Sequence, residues 1–234
     1  MKIKMDKKYT IDDLKNIIVT LRGENGCPWD KVQTHQSIKK SLIEECYEAI
    51  DALDNGTDKD FANELGDVLL QVVFHARMAQ ERGAFDFDDI LYEICTKLIS
   101  RHTHVFGEDK AGNEEEALYN WEKNKKKEKG LLSNTEVLLD VPNYLPSLMR
   151  AQKLIKKAKD FDYEEKDTQK LYCDIQKVLL DIKEEENERK AQEMYGKLLF
   201  DVTALGTSLG VTPEIVLSEE SNKFIERFSK SEKN

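Results

Sequence analysis

The chain has 234 residues, enough for one large domain or two small ones. Charged residues make up 35% and hydrophobic residues 39%, with only 11 glycines and 4 prolines, a balance that argues against sheet-and-turn architecture and for amphipathic helices throughout. The net charge of −10 argues against a nucleic-acid groove, which would need clustered Lys and Arg, but leaves phosphate binding through a metal open.

From Thr10 the apolar residues Ile11, Leu14, Ile17, Ile18 and Leu21 recur at helical spacing behind a Thr N-cap. The stretch GENGCPWD follows, with glycines and Pro28 that break helical continuity. Periodic runs at about 37–53 and 58–80 are separated by the breaker DNGTD and predict an antiparallel hairpin. Helices at about 86–102 and 114–129 complete a five-helix first unit over residues 1–130. The pattern lapses over 131–145, read as a linker. A second unit over 146–234 has helical runs at about 146–159, 171–189, 191–209 and 213–229, the last with Thr212 as N-cap and Pro213 at its first position. The two units resemble a degenerate repeat: ELGDVLLQVV at 64–73 aligns with MYGKLLFDVT at 194–203, so Glu64 corresponds to Met194 and Asp67 to Lys197.

The four cysteines, Cys27, Cys46, Cys95 and Cys173, are scattered without a Cys-x-x-Cys pair, which fits a reducing compartment. The N-terminus is polar and lacks an apolar leader, and no run of about 18 apolar residues occurs. The expectation is a cytoplasmic protein that does not enter a membrane. Cys27, inside Gly-Cys-Pro-Trp-Asp, reads better as part of a shaped loop than as a nucleophile.

The sharpest chemical feature is Glu44-Glu45-x-x-Glu48 on one arm of the hairpin and Glu64-x-x-Asp67 on the other. Glu45 with Glu48, and Glu64 with Asp67, each share a helix face. Glu48 and Glu64 are each eight residues from Gly56, and Glu45 and Asp67 each eleven, so a hairpin folding about Gly56 sets the four carboxylates in two level rungs. Four anions at close quarters repel unless cations neutralise them, and all-oxygen ligands point to a hard ion, Mg²⁺ or Mn²⁺, and through it to a polyphosphate substrate. The competing reading is that the acids decorate a solvated face in a chain with 46 Asp and Glu. Lys97 with Arg101, and Trp121 with Lys125, are each four apart and could offer phosphate and base contacts, although on arbitrary helices surface ion pairs and a core anchor are the commoner roles. His102 and His104 lie near a helix end, where local capping is the commoner role.

Taken together, LRGENGCPWDKVQTHQS, EECYE with ELGD, RHTHVFG and WEKNKKKEK resemble the MazG family of nucleoside triphosphate pyrophosphohydrolases. The resemblance implies an all-α fold, an intertwined homodimer, Mg²⁺ dependence, and cleavage of nucleoside triphosphates to monophosphate and pyrophosphate. Carried over by position, it implies Glu45, Glu48, Glu64 and Asp67 as metal ligands, Glu44 as the group that orients or deprotonates water, and Lys97, Arg101, Trp121 and Lys125 as substrate contacts. Two departures stand out. Thr103 replaces the proline usual between the two histidines. The second unit has Met194 and Lys197 at acidic positions and no Trp-x-x-x-Lys, so it is expected to be catalytically inactive. Alternatives are a narrower dUTP or phosphoribosyl-ATP pyrophosphohydrolase, and a non-catalytic helical dimerisation module.

Overall fold

A computed structural model describes residues 8–161, 163 and 167–232, and among them every regular element is helical. The polar N-terminal segment read above falls largely on residues 1–7, outside the described residues. No described helix is long and apolar enough to cross a membrane. The chain forms two compact units, Met1–Trp121 and Glu122–Asn234.

The first unit contains α1 (Ile11–Arg22), α2 (Pro28–Val32), α3 (Lys39–Asn55), α4 (Asp58–Glu81), α5 (Phe87–Arg101), α6 (Thr103–Phe106) and the start of α7 (Glu114–Glu128). Three of these helices open with a capping box: Thr10 with Asp13, Thr57 with Asp60 and Asp86 with Asp89. In each, the cap side chain accepts the third backbone N–H while the third residue's carboxylate accepts the cap's own. Gly56 ends α3 by donating its N–H to the Ala52 carbonyl at 3.0 Å. A Cβ there would lie 2.7 Å from that oxygen, so only glycine lets the chain turn this tightly into α4. The core gathers Ile18, Ile38, Val73, Phe74, Met78 and Phe87, with Leu14, Leu21 and Leu70 packed against them, so α4 is the element on which α1, α3 and α5 assemble.

The second unit holds the rest of α7, then α8 (Asn134–Leu139), α9 (Ser147–Lys159), α10 (Thr168–Glu184), α11 (Glu188–Ser208) and α12 (Pro213–Ser231). Here α11 pairs with α10 and packs on α9, around Ile155, Leu171 and Ala204. Gln152 of α9 donates to the Val211 carbonyl at 2.9 Å, which fixes the turn into α12.

Three short helices were not expected. Pro28, read as a breaker, instead opens α2 at its first turn, where a missing N–H costs nothing. Thr103 likewise opens α6, the place its proline counterpart would suit, and its hydroxyl donates to Asp109 at 2.6 Å. Ser133 caps α8 inside the stretch read as a linker. The α10/α11 break comes earlier than the apolar periodicity suggests, because Asn187 accepts the Lys190 N–H and starts α11 three residues sooner. Thr212 sits at the N-cap of α12 without a side-chain bond, and Pro213 makes the first turn.

Candidate active site

The hairpin of α3 and α4 carries the acids on facing surfaces. Glu45, Glu48 and Glu64 each offer a carboxylate oxygen, and these atoms lie within 4.8 Å of one another. Glu45 and Glu64 are half-buried and Glu48 is exposed. Asp67, one helical turn beyond Glu64, is close enough for its charge to act on Glu45. Burial first, then the charges of Asp67, Glu48, Glu64 and Glu44, hold the Glu45 carboxyl above the ordinary carboxylate range. Glu44 stands apart from the trio and is engaged by Lys40 at 2.6 Å. Glu48 and Glu64 also line a cleft of about 350 Å³ with Asp51, Ala52, Asn55, Gly56 and Asp60, so the acids border space that a ligand can enter.

The donor set fits a hard divalent cation. It is entirely carboxylate oxygen, with no sulfur or imidazole among the gathered atoms, and the neighbouring acids add to burial in raising the proton affinity of Glu45, as happens where negative charge lacks a compensating cation. Exposed acidic clusters also occur without an ion. What separates this one is that half-buried acids come from two helices to one point.

The cationic residues are positioned differently from one another. Lys97 on α5 is 3.5 Å from Glu93 of the same helix, an exposed pair. Arg101, one turn on, is 8% exposed and its guanidinium lies 5.2 Å from the centre of the Trp121 ring, so one is braced on the other. Lys125, four residues after Trp121 on α7, belongs to the second unit; its Nζ is 3.9 Å from Glu122 and mostly enclosed. His102 bonds locally, through Nδ1 to the Leu98 carbonyl at 2.7 Å. Cys27 is the N-cap of α2, and its N–H donates to the Leu21 carbonyl at 2.8 Å, a loop-shaping position.

Sequence reasoning gave no role to three residues that hold this unit's loop. Arg22 donates to the carbonyls of Asp30 (2.6 Å) and Gln33 (3.2 Å) and pairs with Glu81 at 2.7 Å, while its guanidinium lies over Phe74. His35 stacks on His75 of α4 with ring planes 6° apart and Nδ1 atoms 2.8 Å apart. Arg22 and His35 lie inside the LRGENGCPWDKVQTHQS motif, but nothing in their spacing along the chain announces partners 40 and 59 residues away.

In the second unit, α10 and α11 form a hairpin displaced by 130 residues, as the starts of α4 at Asp58 and α11 at Glu188 indicate. At that offset Ile175 and Val178 stand where α3 has Glu45 and Glu48, and Met194 and Lys197 where α4 has Glu64 and Asp67. Val178 is buried. Lys197 turns along its own helix to pair with Asp201, itself buried, at the position corresponding to Gln71. No acidic cluster forms there among the described residues.

The sequence matches the MazG nucleotide pyrophosphohydrolase domain over residues 33–106, a span that includes all five acids, Lys97 and Arg101. The chain is 40% identical over 221 residues to the nucleoside triphosphate pyrophosphohydrolase/pyrophosphatase MazG of Thermotoga maritima, covering 94% of this chain and 85% of that one. It is 42% identical over 229 residues to the nucleoside triphosphate pyrophosphohydrolase of Escherichia coli K12, covering 95% and 87%. A third relative, the uncharacterized protein YabN of Bacillus subtilis, is 40% identical over 225 residues, which span 94% of this chain and 46% of that protein.

Proposed function

The chain belongs to the MazG family of nucleotide pyrophosphohydrolases, and on that premise we propose that it hydrolyses nucleoside triphosphates to monophosphate and pyrophosphate at the α3–α4 hairpin, with Mg²⁺ held by Glu45, Glu48, Glu64 and Asp67. The observation that carries this reading is the convergence of Glu45, Glu48 and Glu64 within 4.8 Å. Mn²⁺ would suit the same oxygen donors. Bound there, the divalent ion supplies neutralising charge for triphosphate oxygens and lowers the pKa of a water molecule.

The remaining steps fall to the chain's own side chains. Glu44 neighbours the ligands without belonging to the trio, and its bond to Lys40 is solvent-exposed and weak, so Glu44 can exchange Lys40 for a water proton. Lys97 exchanges Glu93 for phosphate oxygen at similarly small cost. Arg101, braced on Trp121, offers a fixed guanidinium rather than a searching one, and Trp121 offers its indole to a nucleobase. Lys125 completes the contacts that the resemblance assigns. None of these groups forms a base-specific hydrogen-bonding pattern, which supports broad substrate use and a nucleotide-pool housekeeping role in the cytoplasm. The unpaired cysteines agree with a reducing compartment.

The active form in this reading is a homodimer. Around the acids, Ile43, Tyr47, Ile50 and Leu53 of α3 and Leu65 and Leu69 of α4 are all more than 40% exposed in the single chain, far more apolar surface than a monomer usually leaves in water. Gly66 lies within the continuous helix α4 beside Asp67, and a Cβ there would touch nothing within 4 Å, which leaves that side of the helix open to an approach from outside the chain. The second hairpin, lacking the acids, then serves as a degenerate repeat that supports assembly.

The test is pyrophosphate release from a panel of NTPs, dNTPs and phosphoribosyl-ATP, with and without Mg²⁺, alongside light scattering for mass. Turnover of many bases that requires Mg²⁺, in a dimer, supports the proposal. Turnover of dUTP or phosphoribosyl-ATP alone would replace it with the narrower enzyme.

A further inference from the structure

Gln71 is the odd residue on the buried side of α4. The other buried residues of that helix, Val73, Phe74, Ala76, Met78 and Ala79, are apolar. Gln71 is 8% exposed, and its Oε1 is enclosed without a hydrogen-bond donor among the described residues. Leaving a buried acceptor unmade costs stability, and an apolar side chain of similar shape would fill the same space without that cost. Packing alone therefore gives no reason for an amide at this position.

Its place on the helix supplies one. Gln71 follows Glu64 by seven residues and Asp67 by four. At about 100° per residue, its side chain leaves the helix between the directions of those two acids, one turn farther from Gly56. The second hairpin keeps a buried oxygen acceptor at the corresponding position, where Asp201 is 5% exposed. There the chain itself brings a cation to the acceptor, because Lys197, standing where α4 has Asp67, pairs with Asp201. In the first hairpin the residue one turn earlier is an acid, and no described residue donates to Gln71 Oε1.

We propose that Gln71 is a positioning residue of the acid site, its Oε1 accepting a hydrogen bond from water carried by the divalent cation that Glu45, Glu48, Glu64 and Asp67 would hold. The inference rests on the metal-site reading above and adds a residue that the family resemblance does not assign. Mg²⁺ sheds its water reluctantly, so an oxygen one turn beyond the ligands meets the ion's water rather than the ion. A neutral carbonyl suits that place. It accepts a hydrogen bond without adding a further negative charge to four acids, and outer contacts of this kind fix and tune a metal site.

The experiment is titration of the full chain with Mn²⁺ alone, followed by electron paramagnetic resonance, for the wild type, Gln71→Met and Gln71→Glu, together with melting temperatures measured without metal. Circular dichroism checks that each variant is folded. Gln71→Met keeps the length and removes the acceptor, so it should bind Mn²⁺ about 10-fold more weakly than the wild type. Without metal it should melt as high as the wild type or a few degrees higher, since the unmade acceptor is gone. Gln71→Glu keeps an acceptor and loses the amide donor, and should bind Mn²⁺ at least as tightly as the wild type. Mn²⁺ affinity within about twofold of the wild type in folded Gln71→Met overturns the proposal, as does a metal-free melting temperature well below that of the wild type, which would mark the amide as structural. An equal loss in Gln71→Glu, or no Mn²⁺ bound by the wild type, overturns it too. Mg²⁺-dependent NTP turnover on the same preparations separates this role from the hydrolase reading. Turnover with Mn²⁺ affinity independent of Gln71 keeps the hydrolase and sinks the role, whereas Gln71-dependent affinity without turnover does the reverse.

Discussion

The hairpins α3–α4 and α10–α11 turn at equivalent positions and differ in what they place between their arms. In the first, acids from both helices meet: Glu45, Glu48 and Glu64 come within 4.8 Å and Asp67 adds its charge. In the second, the α10 positions hold Ile175 and buried Val178, and the α11 positions hold Met194 and a lysine that pairs along its own helix with Asp201. One hairpin keeps a repulsion that costs stability without a cation, and the other has resolved it by apolar packing and an internal ion pair. The contrast teaches that a helical hairpin does not need the acids to form. Their presence in the first unit calls for a reason beyond folding.

The largest expected effect tests that contrast through activity. Glu48→Gln or Glu64→Gln should lower Mg²⁺-dependent pyrophosphate release by roughly 10²–10³-fold, because each removes a carboxylate charge that the proposed function assigns to the metal. Lys197→Ala in the second hairpin should leave kcat within about twofold, since Lys197 pairs along its own helix with Asp201. Equal losses from the two hairpins would erase the distinction between them. Restoring acids at Met194 and Lys197 alone should create no second site, because Ile175 and Val178 still face that position; Mn²⁺ binding followed by electron paramagnetic resonance would count the sites.

A second comparison concerns stability at one aligned position. Val178 is 8% exposed, so Val178→Asp should destabilise the second unit by about 2–4 kcal/mol, as burial of an unpaired carboxylate does. The reciprocal change, Glu48→Val, falls on an exposed residue and should shift stability by no more than about 0.5 kcal/mol. Urea midpoints read by circular dichroism measure both. Similar costs at the two positions would mean that the hairpins are packed alike.

Much of this contrast is legible in the chain, because the features that carry it are local. Helix periodicity, the Thr10 cap and the symmetric spacing of the acids about Gly56 all act within a few turns, and the helices form where these features lead one to expect them. What the sequence hides is either short or distant. A five-residue helix such as α2 has no period to detect, and a proline that breaks one helix can begin the next. Partners such as Arg22 with Glu81, His35 with His75, and Lys157 with Glu122 lie 59, 40 and 35 residues apart and meet only through tertiary packing. Burial along α3 is likewise only half legible from apolar spacing: of Cys46, Ala49 and Leu53, which recur at helical intervals, Ala49 is buried while Cys46 and Leu53 are exposed in the single chain.

A smaller effect should appear without metal. Glu45 is held above its ordinary pKa by burial and by its acidic neighbours, so its ionised form is disfavoured in the fold. The sign follows: the associated stability is present at low pH and is lost as pH rises through the raised pKa. At neutral pH and without Mg²⁺, Glu45→Gln should therefore melt slightly higher than the wild type, by up to a few degrees, while being inactive. Adding Mg²⁺ should raise the wild-type melting temperature and not that of the variant. A variant that melts lower than the wild type under metal-free conditions would show that the acids do not repel.

The smallest expected effect separates the units by pH. All four histidines lie before residue 105, so the second unit has none to titrate near neutrality. In the first, His35 and His75 share one Nδ1 contact at 2.8 Å, which requires one ring to donate and the other to accept, and both Nε2 atoms are enclosed without partners among the described residues. Burial first, and then the neighbouring His35, hold His75 below its ordinary value of 6.5. The unfolded chain therefore takes up a proton that the folded chain resists, and stability from this pair is full above about pH 6.5 and declines as pH falls through that value toward the folded pKa. Protonation also removes the acceptor on which the Nδ1 contact depends, and with it a tie between His35 and α4. Tryptophan fluorescence follows the first unit alone, because both tryptophans, Trp29 and Trp121, are in it. Its melting temperature should drop between about pH 7 and pH 5 in the wild type and change less in His75→Gln, which cannot charge. A slope that persists unchanged in His75→Gln would show that the sensitivity does not come from His75.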